Sequence, residues 1–300
     1  MIYKYGEQAI KDSLNVLKIE NHRKRESYVH KLLDYYNGSN TKYYIEKKFD
    51  LDAFREVPPY EANITKKFIN KMSRIYTVGA DRNVSKKYDN LSVLKDAKMK
   101  HIERMTRLVG TIAVRVMYVD GEMPYFDYQP IYYFHPFFGS DPFKPVAISY
   151  PLMHYTEDAS NSDSCQYIHW NAESYIIFDE SGKVIEEGEH GYGALPFVFT
   201  HREHQSDSFY VEGANDICNA NEHINITMTE MQLGLRFQMF GQPVVSGADL
   251  GNNQRFGSDV ILELPDNANY DIKSPSGDIE KVIENVKFQM ELVAQNNHLS

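Results

Sequence analysis

The sequence predicts an α+β protein: N-terminal helices, then a mainly antiparallel β region, then a long helical hairpin with a small β segment between its arms. Three observations carry this. Apolar residues recur at helical spacing through the first hundred positions. After Gly110 the pattern switches to short β-branched runs separated by turn residues. The last third returns to helical spacing on either side of Gly241, Pro243, Gly247, Gly251 and Gly257.

Residues 1–36 are rich in helix formers, with apolar side chains at Leu14, Leu17, Val29, Leu32 and Leu33. Asn37-Gly38-Ser39-Asn40 supplies the stop, because Asn-Gly is a strong turn pair. A polar stretch runs to Pro58-Pro59. Asn63 can cap a helix carrying Ile64, Phe68, Met72 and Ile75, which is expected to end near Gly79. A further helix is expected over 91–108. Residues 111–119, followed by Asp120-Gly121, read as a strand entering a hairpin. Strands are then expected around 132–134, 146–150, 167–170, 175–178, 184–187 and 193–199, with Asp179-Glu180-Ser181-Gly182 as a second hairpin turn. The closing hairpin has one helical stripe at Ile217, Ile224, Met228, Met231 and Leu235. A second lies at Ile279, Val282, Ile283, Val286, Met290 and Val293, with strand-like Val244-Val245 and Val260-Ile261-Leu262 between the two. Two stripes this long need a partner surface, which points to a component of an assembly.

The composition, 42% hydrophobic and 25% charged, excludes a disordered chain. The net charge of −10 argues against tight binding to phosphate backbones, which depends on counterion release by Lys and Arg. Its distribution is uneven. Residues 63–108 hold twelve basic and four acidic side chains, 109–209 four and fifteen, and 210–300 five and thirteen. These surfaces are either solvated faces or the approach to a charged partner. Two distant cysteines, Cys165 and Cys218, give no disulfide framework and suit a reducing compartment. The N-terminus lacks the apolar core of a signal peptide, and no apolar run has the length of a membrane span, so synthesis in the cytoplasm and no membrane partner are expected.

Catalytic patterns are sparse. His201-Arg202-Glu203-His204 would be half a metal site if helical, but it lacks the HExxH spacing and a third ligand, so a polar loop is the simpler reading. The glycine-rich segment from Gly188 to Gly193 precedes a strand instead of opening a helix, and reads as a turn, not a phosphate loop. The aromatic run 125–138 has no interleaved Lys or Arg, which favours core or subunit interface over base stacking. Lys66, Lys67, Lys71, Arg74, Lys86, Lys87, Lys95, Lys98, Lys100, Arg104 and Arg107 form the one stretch suited to an anionic partner. No catalytic residue, cofactor site or metal site is expected.

The order of four segments resembles that of tailed-bacteriophage portal proteins, the ring-shaped head–tail connectors. Tyr35-Tyr36-Asn37-Gly38 is similar to the end of their N-terminal helix, and the stretch from Asn63-Ile64 through Arg74-Ile75-Tyr76-Thr77-Val78-Gly79-Ala80 to the next. Residues 110–119 with Asp120-Gly121, and Pro145-Val146-Ala147-Ile148-Ser149-Tyr150, resemble wing strands. Leu195-Pro196-Phe197-Val198, leading to Asn215-Asp216-Ile217 and Asn225, resembles the approach to the first stem helix. The resemblance implies a portal-like fold: an N-terminal arm at 1–57, a wing at 58–208, stem helices at 209–240 and 277–297, a clip at 241–276, and the start of a tunnel loop at 298–300. It implies a homododecameric ring with no enzymatic activity of its own, residing in the virion. Its implied partners are terminase, the major capsid and scaffolding proteins, head-completion or tail adaptors, and double-stranded DNA passing through without sequence-specific binding.

On that resemblance, Asp249, Asn252, Asn253, Arg255 and Phe256 are clip candidates for contacting terminase or the adaptor. Ile217, Ile224, Met228, Met231, Ile279, Val282, Val286 and Met290 are candidates for packing stem against stem. Lys281, Glu284, Lys287, Glu291 and His298 are candidates for facing the channel. Portals continue into a tunnel loop, a spine helix and usually a crown; this sequence stops where that loop would begin, so a partly represented subunit is expected. Two rival readings remain: a carboxylate-metal nuclease or related nucleic-acid hydrolase, from the clustered acids with His201 and His204, and a non-viral oligomeric scaffold or adaptor.

Overall fold

A computed structural model describes residues 2–49, 58–91, 95–122, 124–152, 165–205, 207–240, 242–247, 267–273 and 279–299. Two compact units divide the chain: Met1–Ser39 with Asn63–Cys218, and Asn40–Ala62 with Asn219–Ser300. The division does not follow the segmentation 1–57 and 58–208. Residues 1–39 fold with the β region, and residues 40–62 with the C-terminal elements.

In the first unit, α1 (Ile2–Leu17) and α2 (Glu20–Asn37) replace the single helix expected over 1–36. The chain breaks at Lys18-Ile19 although neither residue is Gly or Pro. The cause is tertiary: α1 lies on a sheet, burying Ile10 with Ile176 and Phe178, whereas α2 packs on other helices. Gly38 ends α2 in the left-handed region at φ 78, its N–H donating to Asp34 O at 2.8 Å.

After α3 (Thr41–Glu46), which belongs to the second unit, α4 (Ile64–Met72) is capped as expected: Asn63 Oδ1 accepts from Lys66 N at 2.9 Å. It stops at Met72, not near Gly79, because Ser73 leaves the helical region and turns its hydroxyl back to Ile69 O. A 3-10 turn, Ile75–Thr77, follows, and Ile75 is exposed where the sequence placed it on the helix stripe. Then come α5 (Lys86–Asn90), unforeseen in the sequence, and α6 (Lys95–Val109).

Two antiparallel sheets follow. β1 (Thr111–Val119) lies between β2 (Tyr125–Ile131) and β8 (Phe197–His201). The other sheet has the order β3 (His135–Phe138), β4 (Pro145–Leu152), β5 (Gln166–Trp170), β6 (Ser174–Phe178) and β7 (Val184–Glu189). Two expectations shift. Residues 132–134 connect β2 to β3 and are not a strand, and the strand expected over 193–199 begins only at Phe197. Gly188 belongs to β7, so the turn expected over 188–193 starts later. The core lies between the sheets: Ala113 and Phe197 from the first and Ile148, Tyr150, Ile168 and Trp170 from the second surround Phe134 and Phe209. The centre of the aromatic run is therefore buried, Phe134 completely.

The first unit ends at Cys218 within α7 (Asn215–Phe240), which begins six residues later than the helix expected at 209 because Val211 and Gly213 are committed to hydrogen bonds elsewhere. β9 (Gln242–Ser246) pairs antiparallel with β10 (Asn269–Lys273), and α8 (Ile279–Asn296) follows. The segment 58–62 is held on α7 by side chains. Asn225 accepts from Ala62 N at 2.8 Å and donates to Ala62 O at 3.1 Å, and Thr229 Oγ1 accepts from Tyr60 N at 2.9 Å. The Asn225 amide thus supplies both halves of a backbone ladder pair.

Candidate functional site

The chemistry-bearing side chains of the first unit gather in three places. The first is where α6 turns into β1. Gly110 has φ 91, and its N–H donates to Thr106 O at 2.8 Å. Thr111 Oγ1 accepts from Val211 N at 2.9 Å and lies 3.0 Å from His201 Nδ1. Arg202 donates to Gly110 O through its backbone and to Gly213 O through Nη1. His201 is thereby a structural tie at the end of β8, its ring edge-on to Phe209, and burial lowers its pKa. His204 is exposed in the following loop, donating to Gln205 O at 2.6 Å. The pair is not on a helix, and among the described residues no three His, Cys, Asp or Glu side chains converge as metal ligands.

The second place joins α1 to the larger sheet. Ser149 Oγ lies 2.8 Å from His169 Nδ1 and 2.8 Å from Ser13 Oγ, which donates to Ala9 O. A serine beside a histidine has the parts of an activated nucleophile. Here both hydroxyls are wholly buried, so no substrate reaches them, and the network fastens helix to sheet. Nearby, His22 packs on Tyr133 with ring centroids 4.4 Å apart and planes tilted by 33°, and meets His135 edge-on at 5.7 Å. Burial lowers His22, His135 and His169 to about 4, so each ring is neutral at physiological pH. Nothing local in the sequence marks this cluster: Ser13 and His169 are 156 positions apart, and it takes the register of β3, β4 and β5 together with the packing of α1 and α2 to bring its members together.

The third place is a groove of about 1140 Å³ between α1 and the β6–β7 edge. Ile10, Leu14, Ile176 and Val184 are among its apolar lining, with Glu7, Glu173, Glu187 and Glu189 against the single base Lys11.

The basic stretch 63–108 is partly spent on internal pairs. Lys95 bonds Asp89 at 3.1 Å, Lys98 bonds Asp127 at 2.9 Å, Arg107 lies 3.5 Å from Glu103, and Arg82 pairs with Asp96. Lys66, Lys67 and Lys71 remain on an exposed face of α4.

In the stem candidates the two helices differ. Ile217 and Ile224 of α7 are buried and Met228 and Met231 half-buried. No residue of α8 is buried: Ile279, Val282 and Val286 are half-covered, Met290 is 40% exposed, and Ile283 equally so. Phe288 is 62% exposed and Leu292 44%, and at 100° per residue they lie roughly 150° around the helix from that stripe. Lys281, Glu284, Lys287, Glu291 and His298 are all exposed, the first four on one flank of α8. Asp249, Asn252, Asn253, Arg255 and Phe256, and the expected strand Val260-Ile261-Leu262, lie outside the described residues. Among the described residues no helix is long and apolar enough to cross a membrane. No family model matches the chain, and no curated protein matches it.

Proposed function

We propose that this chain is a subunit of a portal ring, the conduit at one capsid vertex of a tailed bacteriophage through which DNA is packaged and ejected and on which head and tail are joined. The observation that carries this reading is α8. A helix left without a single buried residue, yet apolar on two separate sides, needs more than one covering surface. A ring of heterologous contacts supplies that: each subunit meets one neighbour with one face and the other neighbour with a different face. The order of elements supports it too, with helices, antiparallel sheets, a long helix, a short two-stranded sheet and a second helix in the sequence of a portal wing, stem and clip.

The excess of acidic side chains over 210–300 suits a channel wall, since it repels phosphates and lets the duplex slide without counterion release. Terminase would dock at the clip and supply ATP hydrolysis. Capsid, scaffolding and head-completion or tail proteins would occupy the outer surfaces, in the virion. The test is averaged negative-stain imaging of the full-length protein under assembly conditions. Closed rings, twelvefold or near it and with a central channel, are expected; monomers alone would overturn the reading.

A further inference from the structure

The geometry points to a peptide-docking edge on the first unit: β7, with the groove beside it, receives an extended basic segment of another protein as an added strand. β7 ends the sheet order β3-β4-β5-β6-β7, and among the described residues no strand pairs with its outer side. Val184, Ile185, Glu186, Glu187 and Glu189 are all exposed. An unpaired edge carries a row of backbone donors and acceptors ready for another strand. Most exposed edges are flat against solvent, but this one borders a groove of about 1140 Å³. The register places Val184, Glu187 and Glu189 opposite Phe178, Ile176 and Ser174, on the side facing α1. An added strand alternates its side chains, so every second one would enter the groove over Ile10, Leu14 and Val184.

Charge selects the occupant. Four glutamates line the groove against one lysine, and Glu186 adds a carboxylate on the opposite face, where it accepts from Tyr175 OH at 2.6 Å. A second copy of the same edge would set these carboxylates against each other, which disfavours pairing of β7 with itself. Nucleic acid is repelled for the same reason. An extended segment that alternates apolar residues with Lys or Arg, and turns the basic ones into the groove, satisfies the backbone, the groove and the glutamates together: the aliphatic stems lie over Ile10 and Leu14 and the charged ends meet the carboxylates. Such docking needs no oligomer, so it stands whether or not the ring forms.

The experiment titrates the full chain into a fluorescent peptide of about eight residues alternating valine and lysine, read by anisotropy at low and high salt. Three comparison peptides carry glutamate for lysine, or N-methyl groups on alternate amides in each of the two possible frames. Binding of the valine–lysine peptide is expected, weakened by salt and lost with glutamate. Only one methylation frame should lose binding, because only one row of amides faces β7. Glu187→Lys with Glu189→Lys should weaken binding about tenfold while leaving the melting temperature unchanged. Absence of binding overturns the proposal. So does equal binding by both methylated frames, which would mean adsorption by charge alone, or full binding to the charge-reversed chain, which would place the peptide elsewhere.

Discussion

Gly110 stands where three parts of the chain pass within backbone contact. A Cβ there would come 2.2 Å from Val211 O, and its φ of 91 already disfavours any side chain. Gly110→Ala is therefore expected to destabilise by about 3 kcal/mol or more, measured as the urea midpoint shift. Asn225 is a second residue whose role is fixed by one geometry. Asn225→Ala leaves both the N–H and the C=O of Ala62 without their partner, and about 2 kcal/mol of destabilisation is expected. Thr229→Val removes the acceptor for Tyr60 N together with the hydroxyl's own bond to Asn225 O one helical turn back, and should cost about 1 kcal/mol. An order reversed between these two in denaturant melts would contradict the clamp. The sequence marked Gly110 as the point where the periodicity changes, but nothing local to it names Val211 as the neighbour. Asn63 as a cap was readable because its partner, Lys66 N, is three residues away.

Elements were legible where burial imposes a period. β1 matches its expected bounds, since a half-buried strand must alternate or run apolar, and α6 and α8 lie within a few residues of theirs. β10 escaped notice because all five of its residues are exposed, so no burial pattern marks them. The break between α1 and α2 escaped because it is imposed by what each half packs on. α8 carries the prediction at this scale. Phe288→Glu with Leu292→Glu changes two exposed side chains, 62% and 44% accessible, so stability should stay within about 0.5 kcal/mol. Assembly should fail, leaving a monomer in sedimentation velocity. If the double variant still assembles, that side of α8 is not an interface. If it unfolds, the face is covered within the subunit.

For the molecule as a whole, acid stability follows from three rings gathered against one sheet. His22, His135 and His169 all have pKa values lowered to about 4, chiefly by burial; His22 is further lowered by His135 and Arg25, while Asp12 acts in the opposite sense on His169. An imidazole with a lower pKa folded than unfolded takes up its proton preferentially in the unfolded chain. Above about pH 6.5 neither state is protonated, and the contribution to stability is complete. As pH falls from about 6.5 toward 4 the unfolded state gains protons that the folded state does not, and stability declines by up to roughly 1.4 kcal/mol per pH unit for each ring. Below about 4 the slope from these groups vanishes. Asp179, whose pKa is lowered chiefly by Ser181, loses its contribution only as pH falls below the ordinary carboxylate range, so it does not produce the decline near pH 5.5. Denaturant midpoints should therefore be level from pH 8 to 7 and fall steeply between 6.5 and 4.5. Replacing His135 with Phe, beside the existing ring of Phe137, should reduce that slope by the share of one proton without altering the plateau by more than a packing change would. A level profile down to pH 5 would mean that the folded protein protonates these rings, and hence that water reaches a cluster the packing of α1 and α2 closes off.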